Sequence, residues 1–108
     1  MGKGDIVVDL ISRAVAIAPD YIDAHNHLGN ALREFGKFDE AAASYHKALT
    51  IDPNFAEAHS NLGITLGKLG KLDEAIDSYH MALAIDPNYA KAHYNLGNVF
   101  KELGKLDE

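Results

Sequence analysis

Apolar residues recur at three- and four-residue steps along most of this chain, which is the spacing of one face of an α-helix. Residues 24–35 carry one such stripe and residues 38–49 carry another. Gly36 separates the stripes and suits the left-handed conformation that often ends a helix. We expect Asp52 to cap the next helix and Pro53 to lie in its first turn. The pattern therefore predicts a pair of antiparallel amphipathic helices.

The helical pair repeats with a period of 34 residues. Pro19, Pro53 and Pro87 stand 34 positions apart, and residues 22–55 laid over 56–89 give 19 identities in 34. Because one such pair cannot bury its apolar faces alone, successive pairs are expected to stack on one another. The predicted organisation is a single array over residues 1–108, made of a half repeat at 5–18, full repeats at 22–55 and 56–89, and a half repeat at 90–108.

Both ends of the array are half a repeat out of phase. Residues 5–18 align with a second helix, so that Val7 and Ile11 take the positions of Ala41 and Tyr45. Residues 89–103 predict a first helix, and Asp107-Glu108 repeats the acidic pairs that begin second helices. We expect six helices in the register B-AB-AB-A. Apolar side chains would then stay uncovered at the two ends, where copies could stack head to tail or exchange helices: Val7, Ile11, Leu96, Phe100 and Leu103.

One series of small and aromatic residues has a recognisable order. It consists of Leu62-Gly63, Ala75, Tyr79, Ala82 and Pro87. This order resembles the tetratricopeptide repeat. The resemblance implies an all-α, right-handed α-solenoid of antiparallel helix hairpins, a non-catalytic scaffold whose first helices line a concave groove for an extended peptide. The chain departs from the family at His25, His59 and His93, which stand where a Trp is usual.

The resemblance also implies which residues line the groove. They are Asn26, His27, Asn30, Arg33, Ser60, Asn61, Ile64, Lys68, Lys91, Tyr94, Asn95, Asn98 and Lys101. Asn61 and Asn95 occupy equivalent positions, and a ladder of amides can bond a peptide backbone whatever its sequence. This arrangement looks like the asparagine ladder in the superhelix of O-linked N-acetylglucosamine transferases. The alternative is that Asn at this position is common across the whole repeat family.

The groove can also be compared with the carboxylate clamp of chaperone-binding tetratricopeptide domains. Asn30, Asn61 and Lys91 match three of its five positions, whereas Asn26 and Asn95 replace a Lys and an Arg. With two of three cations gone, we expect binding of a terminal carboxylate to lose most of its strength.

The middle repeat lacks bulk where its neighbours project long side chains. Gly67 stands at the position of Arg33 and Lys101, and Ile64 replaces an Asn. An interior helical glycine costs about 1 kcal/mol, so its presence suggests a small apolar pocket for a partner side chain, with Tyr94 as the anchor beside it. Neutral drift is the alternative.

Composition and charge exclude several function classes. The formal net charge is −6, which disfavours a nucleic-acid partner because phosphate binding depends on clustered Lys and Arg. The longest apolar stretch is far below the roughly 20 residues of a membrane span. With no cysteine in the sequence, the reducing cytoplasm is the default location. The sequence has no recognisable cluster of nucleophile, histidine and carboxylate, so we expect no enzyme activity.

Six histidines invite a zinc hypothesis. His25 and His27 are two residues apart on a helix and point to different sides, so they cannot share one ion. His25, His59 and His93 lie one repeat apart, about 10 Å between packed helices, whereas a zinc ligand bonds at about 2 Å. We therefore expect no metal and no cofactor. The partner classes that remain are a protein, an extended peptide, or a second copy of the chain.

Overall fold

The chain folds into six α-helices that alternate between two layers. A computed structural model describes the backbone of residues 2–107 and the side chains of residues 2–104. The helices are α1 (Lys3–Ile17), α2 (Ile22–Glu34), α3 (Phe38–Ile51), α4 (Ala56–Lys68), α5 (Leu72–Ile85) and α6 (Ala90–Asp107). No strand occurs among the described residues, and the all-α prediction is confirmed. Met1 and Glu108 belong to the predicted array but lie outside the described residues.

Helix contacts define the inner and outer sides of the stack. Each helix packs on the next along the chain, and the first helices α2, α4 and α6 also approach one another. The second helices α3 and α5 have no Cα atoms within 8 Å of each other. The stack therefore curves, with the first helices on the inner side. None of the described helices combines the length and apolar character that a bilayer crossing requires.

Glycines close the first helix of each full repeat as the pattern predicted. Gly36 has φ +76° and Gly70 has φ +78°. The N–H of Lys37 donates to the carbonyl of Leu32 at 2.9 Å, and Lys71 repeats this bond. This Schellman arrangement satisfies carbonyls that the helix end would leave without partners.

The prediction for Asp52 and Pro53 is wrong. Asp52 follows α3 and its Oδ1 accepts the N–H of Asn54 at 3.0 Å, while α4 begins only at Ala56. Asp86 repeats the arrangement. A short carboxylate bonds most readily to an amide two residues on, so the Asp-Pro-Asn sequence builds a turn before the helix starts. Pro53 therefore lies in this turn and not in the first turn of α4.

The core is built around two tyrosines that lie flat against glycines. Tyr45 is fully buried and Tyr79 nearly so. A Cβ added to Gly29 would come within 2.6 Å of the Tyr45 ring, and one added to Gly63 within 2.8 Å of the Tyr79 ring. Each glycine thus lets the second helix of its repeat pack closely on the first.

The two terminal helices depart from the internal repeat. Helix α1 has no buried residue, because no helix within residues 2–107 covers its outer face. Helix α6 runs 18 residues, whereas α2 and α4 run 13. It continues through Gly104, so Asp107 lies at the end of α6 and does not begin a new helix.

Candidate functional site

The candidate site is the inner side of the curved helix stack. Between α2 and α4 this side carries a network of hydrogen-bonded polar side chains. The Nδ2 of Asn61 donates to Asn26 Oδ1 at 3.2 Å, and Arg33 donates to Asn61 Oδ1 at 3.4 Å. Asn26 and Asn61 are each only 2% exposed. These bonds join α2 to α4. The Asn61 side chain, predicted to bind a peptide backbone, is therefore already engaged within the chain.

Each core tyrosine extends its hydroxyl toward the inner side. Tyr45 donates to Asn30 Oδ1 at 2.6 Å. Ile64 stands at the equivalent position in the next repeat, and the Tyr79 hydroxyl has no hydrogen-bond partner among the described residues. Burial raises the pKa of both hydroxyls to about 12. Both stay protonated near neutral pH, and that of Tyr79 is available to a ligand.

A cavity of about 170 Å³ opens on the inner side between α4 and α6. It is lined by Ile64, Gly67, Lys68, Tyr79, Asn95, Asn98, Val99 and Glu102. A Cβ added to Gly67 would meet nothing within 4 Å. Neither the Asn95 nor the Asn98 amide bonds to another described side chain. Four of the predicted groove residues thus meet here: Ile64, Lys68, Asn95 and Asn98.

The other predicted groove residues are placed differently. His27, Lys91 and Lys101 are exposed, and Asn30 and Arg33 are half-buried. Ser60 is fully buried, so it offers no surface to a ligand and its place in the predicted lining is corrected. Ser60 and Asn26 are buried because they face the first helix of the next repeat.

Tyr94 shares its repeat position with Asn26 and Ser60 and is 72% exposed. Since those two residues face the next first helix, Tyr94 points away from α4, toward the end of the stack. It does not line the cavity. The prediction of Tyr94 as an anchor beside Gly67 is therefore wrong in position.

The three histidines at the Trp position share a structural role. Nε2 of His25, His59 and His93 lies 2.6, 2.9 and 2.8 Å from the carbonyl oxygens of Pro19, Pro53 and Pro87. Each histidine thereby ties a first helix to the turn that precedes it. Across residues 2–104, no three His, Asp or Glu side chains come together in a way that could hold a metal ion.

The predicted end faces are partly uncovered. Val7 is 43% exposed and Phe100 is 51% exposed, while Ile11 and Leu103 are half-buried. Leu96 lies in the core, as Leu62 does one repeat earlier, so its assignment to an uncovered face is corrected. Gly97 is equivalent to Gly29 and Gly63, yet a Cβ added there would meet nothing within 4 Å.

Several residues on these surfaces were not predicted from the sequence. On α1 the face also carries Ile6, Leu10 and Ile17, at 50%, 59% and 84% exposure. Their helical spacing was a usable signal. Tyr79 lines the cavity although it was not among the predicted groove residues. Tyr79 could have been found from Ile64. Ile64 stands at the position of Asn30 and has no side-chain oxygen to accept the hydrogen bond of the Tyr79 hydroxyl.

Comparison with known proteins identifies the repeat. A family model described as TPR repeat matches residues 29–70 and 66–104. No curated protein matches the chain.

Several solved structures share the fold. The first TPR of Spaghetti (RPAP3) bound to HSP90 peptide SRMEEVD is 24% identical, with a TM-score of 0.90 over 95% of this chain and 82% of that one. The Sgt2 TPR domain from Aspergillus fumigatus is 20% identical, with a TM-score of 0.86 over 93% and 68%. The structure named MamA MSR-1 C2 is 33% identical, with a TM-score of 0.81 over 95% of this chain. The present chain spans 59% of the MamA chain.

Proposed function

The chain belongs to the tetratricopeptide repeat family, and on this premise we propose that its inner groove binds an extended segment of a partner protein without catalysing a reaction. The observation that carries the proposal is the cavity between α4 and α6, where a partly apolar floor meets two amides that have no partner among the described side chains. A ligand that covers the half-exposed Asn95 and the exposed Asn98 would bond amides that otherwise face water, and each such bond contributes about 0.5–1.5 kcal/mol.

Peptide binding also agrees with the rigidity of the first half of the groove. Helices α2 and α4 are joined by the bond between Asn26 and Asn61, so this half exists before a ligand arrives and loses little ordering entropy on binding. The Spaghetti (RPAP3) repeat, which has the same fold, holds an HSP90 peptide. In the present chain the clamp positions Asn26 and Asn61 are buried and bonded to each other. We therefore propose recognition of backbone and side chains, with the terminal carboxylate contributing little.

Binding in the groove is tested by titrating isotope-labelled protein with a library of acetylated, amidated heptapeptides and following amide NMR shifts. We expect shifts on α2, α4 and α6 and none on the outer helices. Asn98→Ala should weaken binding about three- to tenfold because it removes one or two hydrogen bonds. Met81→Ala is the matched control, since Met81 is a half-exposed side chain on the outer helix α5. Shifts confined to α3 and α5 would overturn the groove as the binding surface.

Self-association is the second candidate, and Gly97 is the observation that favours it. The equivalent glycines are covered by tyrosines of the following helix, while Gly97 is open. Helix α1 of a second copy carries Ile11 at the repeat position of those tyrosines, together with the exposed Leu10. We propose that α1 of one copy packs on α6 of the next, which repeats the α4–α5 pairing between molecules.

This assembly is tested by sedimentation over a concentration series. We expect the average mass to rise with concentration, and to rise less in Leu10→Glu, which places a carboxylate in the interface. Ala43→Glu, on the exposed side of α3, is the control and should assemble as the parent does. A monomer that persists at several hundred micromolar would refute the assembly and leave the groove proposal untouched.

A further inference from the structure

The cavity between α4 and α6 has an internal counterpart that shows what can fill it. Between α2 and α4, the Arg33 side chain lies against Asn61 and donates to its Oδ1. One repeat later, Gly67 stands where Arg33 would be and Asn95 stands where Asn61 would be. Both residues line the cavity. The space between α4 and α6 thus keeps the asparagine acceptor and lacks the arginine.

From this pairing we infer that the cavity binds the side chain of an arginine supplied by a partner peptide, whose guanidinium takes the place that Arg33 fills one repeat earlier. The inference rests on the proposed peptide groove and names the side chain that it selects. The guanidinium would donate to Asn95 Oδ1 and to the Tyr79 hydroxyl oxygen. Its aliphatic stem would lie over Ile64 and Gly67, as arginine stems do on apolar surface.

The charges around the cavity favour a cation that reaches Glu102. The Glu102 carboxylate lines the cavity, and among residues 2–104 the one ion pair is Arg13 with Asp9, on α1. Lys68 lines the opposite rim and repels a second cation. Because Lys68 is exposed, water and salt screen that repulsion, and its flexible side chain can turn outward. The planar guanidinium can bond Glu102 and Asn95 together, which a lysine ammonium does less well.

Two competing occupants follow from the same lining. An apolar side chain would use Ile64 and Val99 alone, and a carboxylate would pair with Lys68. Neither would satisfy the Tyr79 hydroxyl and the Asn95 carbonyl oxygen through donors, whereas the guanidinium offers five N–H groups.

The test uses single-residue probes on the full chain, so that it does not depend on finding a peptide ligand. The N-acetyl-N-methylamide derivatives of arginine, citrulline, lysine, norleucine and glutamate are each titrated, and the side-chain amide shifts of Asn95 and Asn98 are followed by NMR. We expect arginine to bind at least about fivefold more tightly than citrulline, its neutral isostere, because bonds to a charged donor are about twice as strong. Lysine should bind about threefold more weakly than arginine.

Position 67 provides a matched pair of variants. Gly67→Arg supplies the missing side chain from within and should abolish the arginine shifts, while the protein stays folded because the added Cβ meets nothing within 4 Å. Gly67→Ala also improves the helix but cannot reach Asn95, so it should keep the binding.

Charge is tested by a second pair. Glu102→Gln should weaken arginine binding about threefold, the effect of an exposed ion pair. Glu34→Gln changes the same repeat position on α2 and should leave arginine binding unchanged.

The inference is overturned by equal affinity for arginine and citrulline, by tighter binding of norleucine or glutamate, by arginine shifts that persist in Gly67→Arg, or by no shift up to about 50 mM probe. If library peptides without arginine still shift the groove amides, the proposed function stands while this inference fails. If only the arginine probe binds, the cavity is confirmed and the extended groove is not.

Discussion

Replacing each of the three equivalent glycines with alanine will separate helix propensity from close packing. Gly29, Gly63 and Gly97 stand 34 residues apart on α2, α4 and α6. Alanine in a helix interior is favoured over glycine by about 1 kcal/mol. That gain is common to all three sites, so differences between the variants report what the added methyl group meets.

At Gly29 the methyl carbon would lie 2.6 to 2.8 Å from three ring carbons of Tyr45, whereas ordinary contacts begin at 3.4 Å. The ring would have to move by nearly 1 Å. Tyr45 is fully buried and its hydroxyl is bonded to Asn30, so the movement strains neighbours on both sides. Such overpacking costs about 1–3 kcal/mol. At Gly97 the methyl group meets nothing, and the helix gain is realised in full.

We therefore expect Gly97→Ala to raise the free energy of unfolding by up to about 1 kcal/mol, and Gly29→Ala to lie about 1–3 kcal/mol below it. Gly63→Ala should fall between them, because the Tyr79 hydroxyl is not held by a partner. Equilibrium unfolding in urea measures this, and a gap of this size moves the midpoint by about 1 M. Equal midpoints for all three variants, at an unchanged slope, would refute the close-packing explanation.

Three further predictions concern side chains already placed. Asn61→Ala should lower the free energy of unfolding by about 1–3 kcal/mol because it leaves buried polar groups without partners, whereas Asn95→Ala, half-exposed, should change it by less than about 0.5 kcal/mol; urea unfolding distinguishes this from an equal effect. His59→Ala should cost about 1–3 kcal/mol through the lost bond to the preceding turn, and the exposed His93→Ala clearly less; similar losses in thermal melts would contradict this. Raising the pH from 10 to 12 should lower stability, because tyrosines of the unfolded chain ionise near pH 10 while the core hydroxyls stay protonated to about 12; Tyr45→Phe should make the decline shallower, and an unchanged slope would argue against burial as the cause.

The repeat period predicted the helices and the residues that pack them, because both depend on spacing along one chain. Gly36 and Tyr45 could be assigned from sequence because Gly70 and Tyr79 have the same roles in the other full repeat. Asp52 was misassigned because a carboxylate that accepts the amide two residues on is typical both of a helix N-cap and of a turn before a helix, and spacing alone does not choose between them.

The inner groove was harder to predict, since exposure there depends on the neighbouring repeat. Asn61 and Asn95 occupy the same position, yet Arg33 lies against one and nothing comparable lies against the other. Tyr94 is exposed because no described first helix packs against the side of α6 that it occupies. Such differences arise between repeats and are invisible when each repeat is considered alone.

The inner side has two helix contacts, a first joint between α2 and α4 and a second joint between α4 and α6. The polar network makes the first joint stiffer than the second. The first joint is held by hydrogen bonds from Asn61 to Asn26 and from Arg33 to Asn61. The second joint has Ser60 and Asn95 at the matching positions, and these do not bond across it. Bending of the stack should therefore concentrate between α4 and α6, so that the array behaves as a stiff arm with one compliant hinge. The cavity lies at that hinge, and a ligand seated there would set the curvature of the whole array.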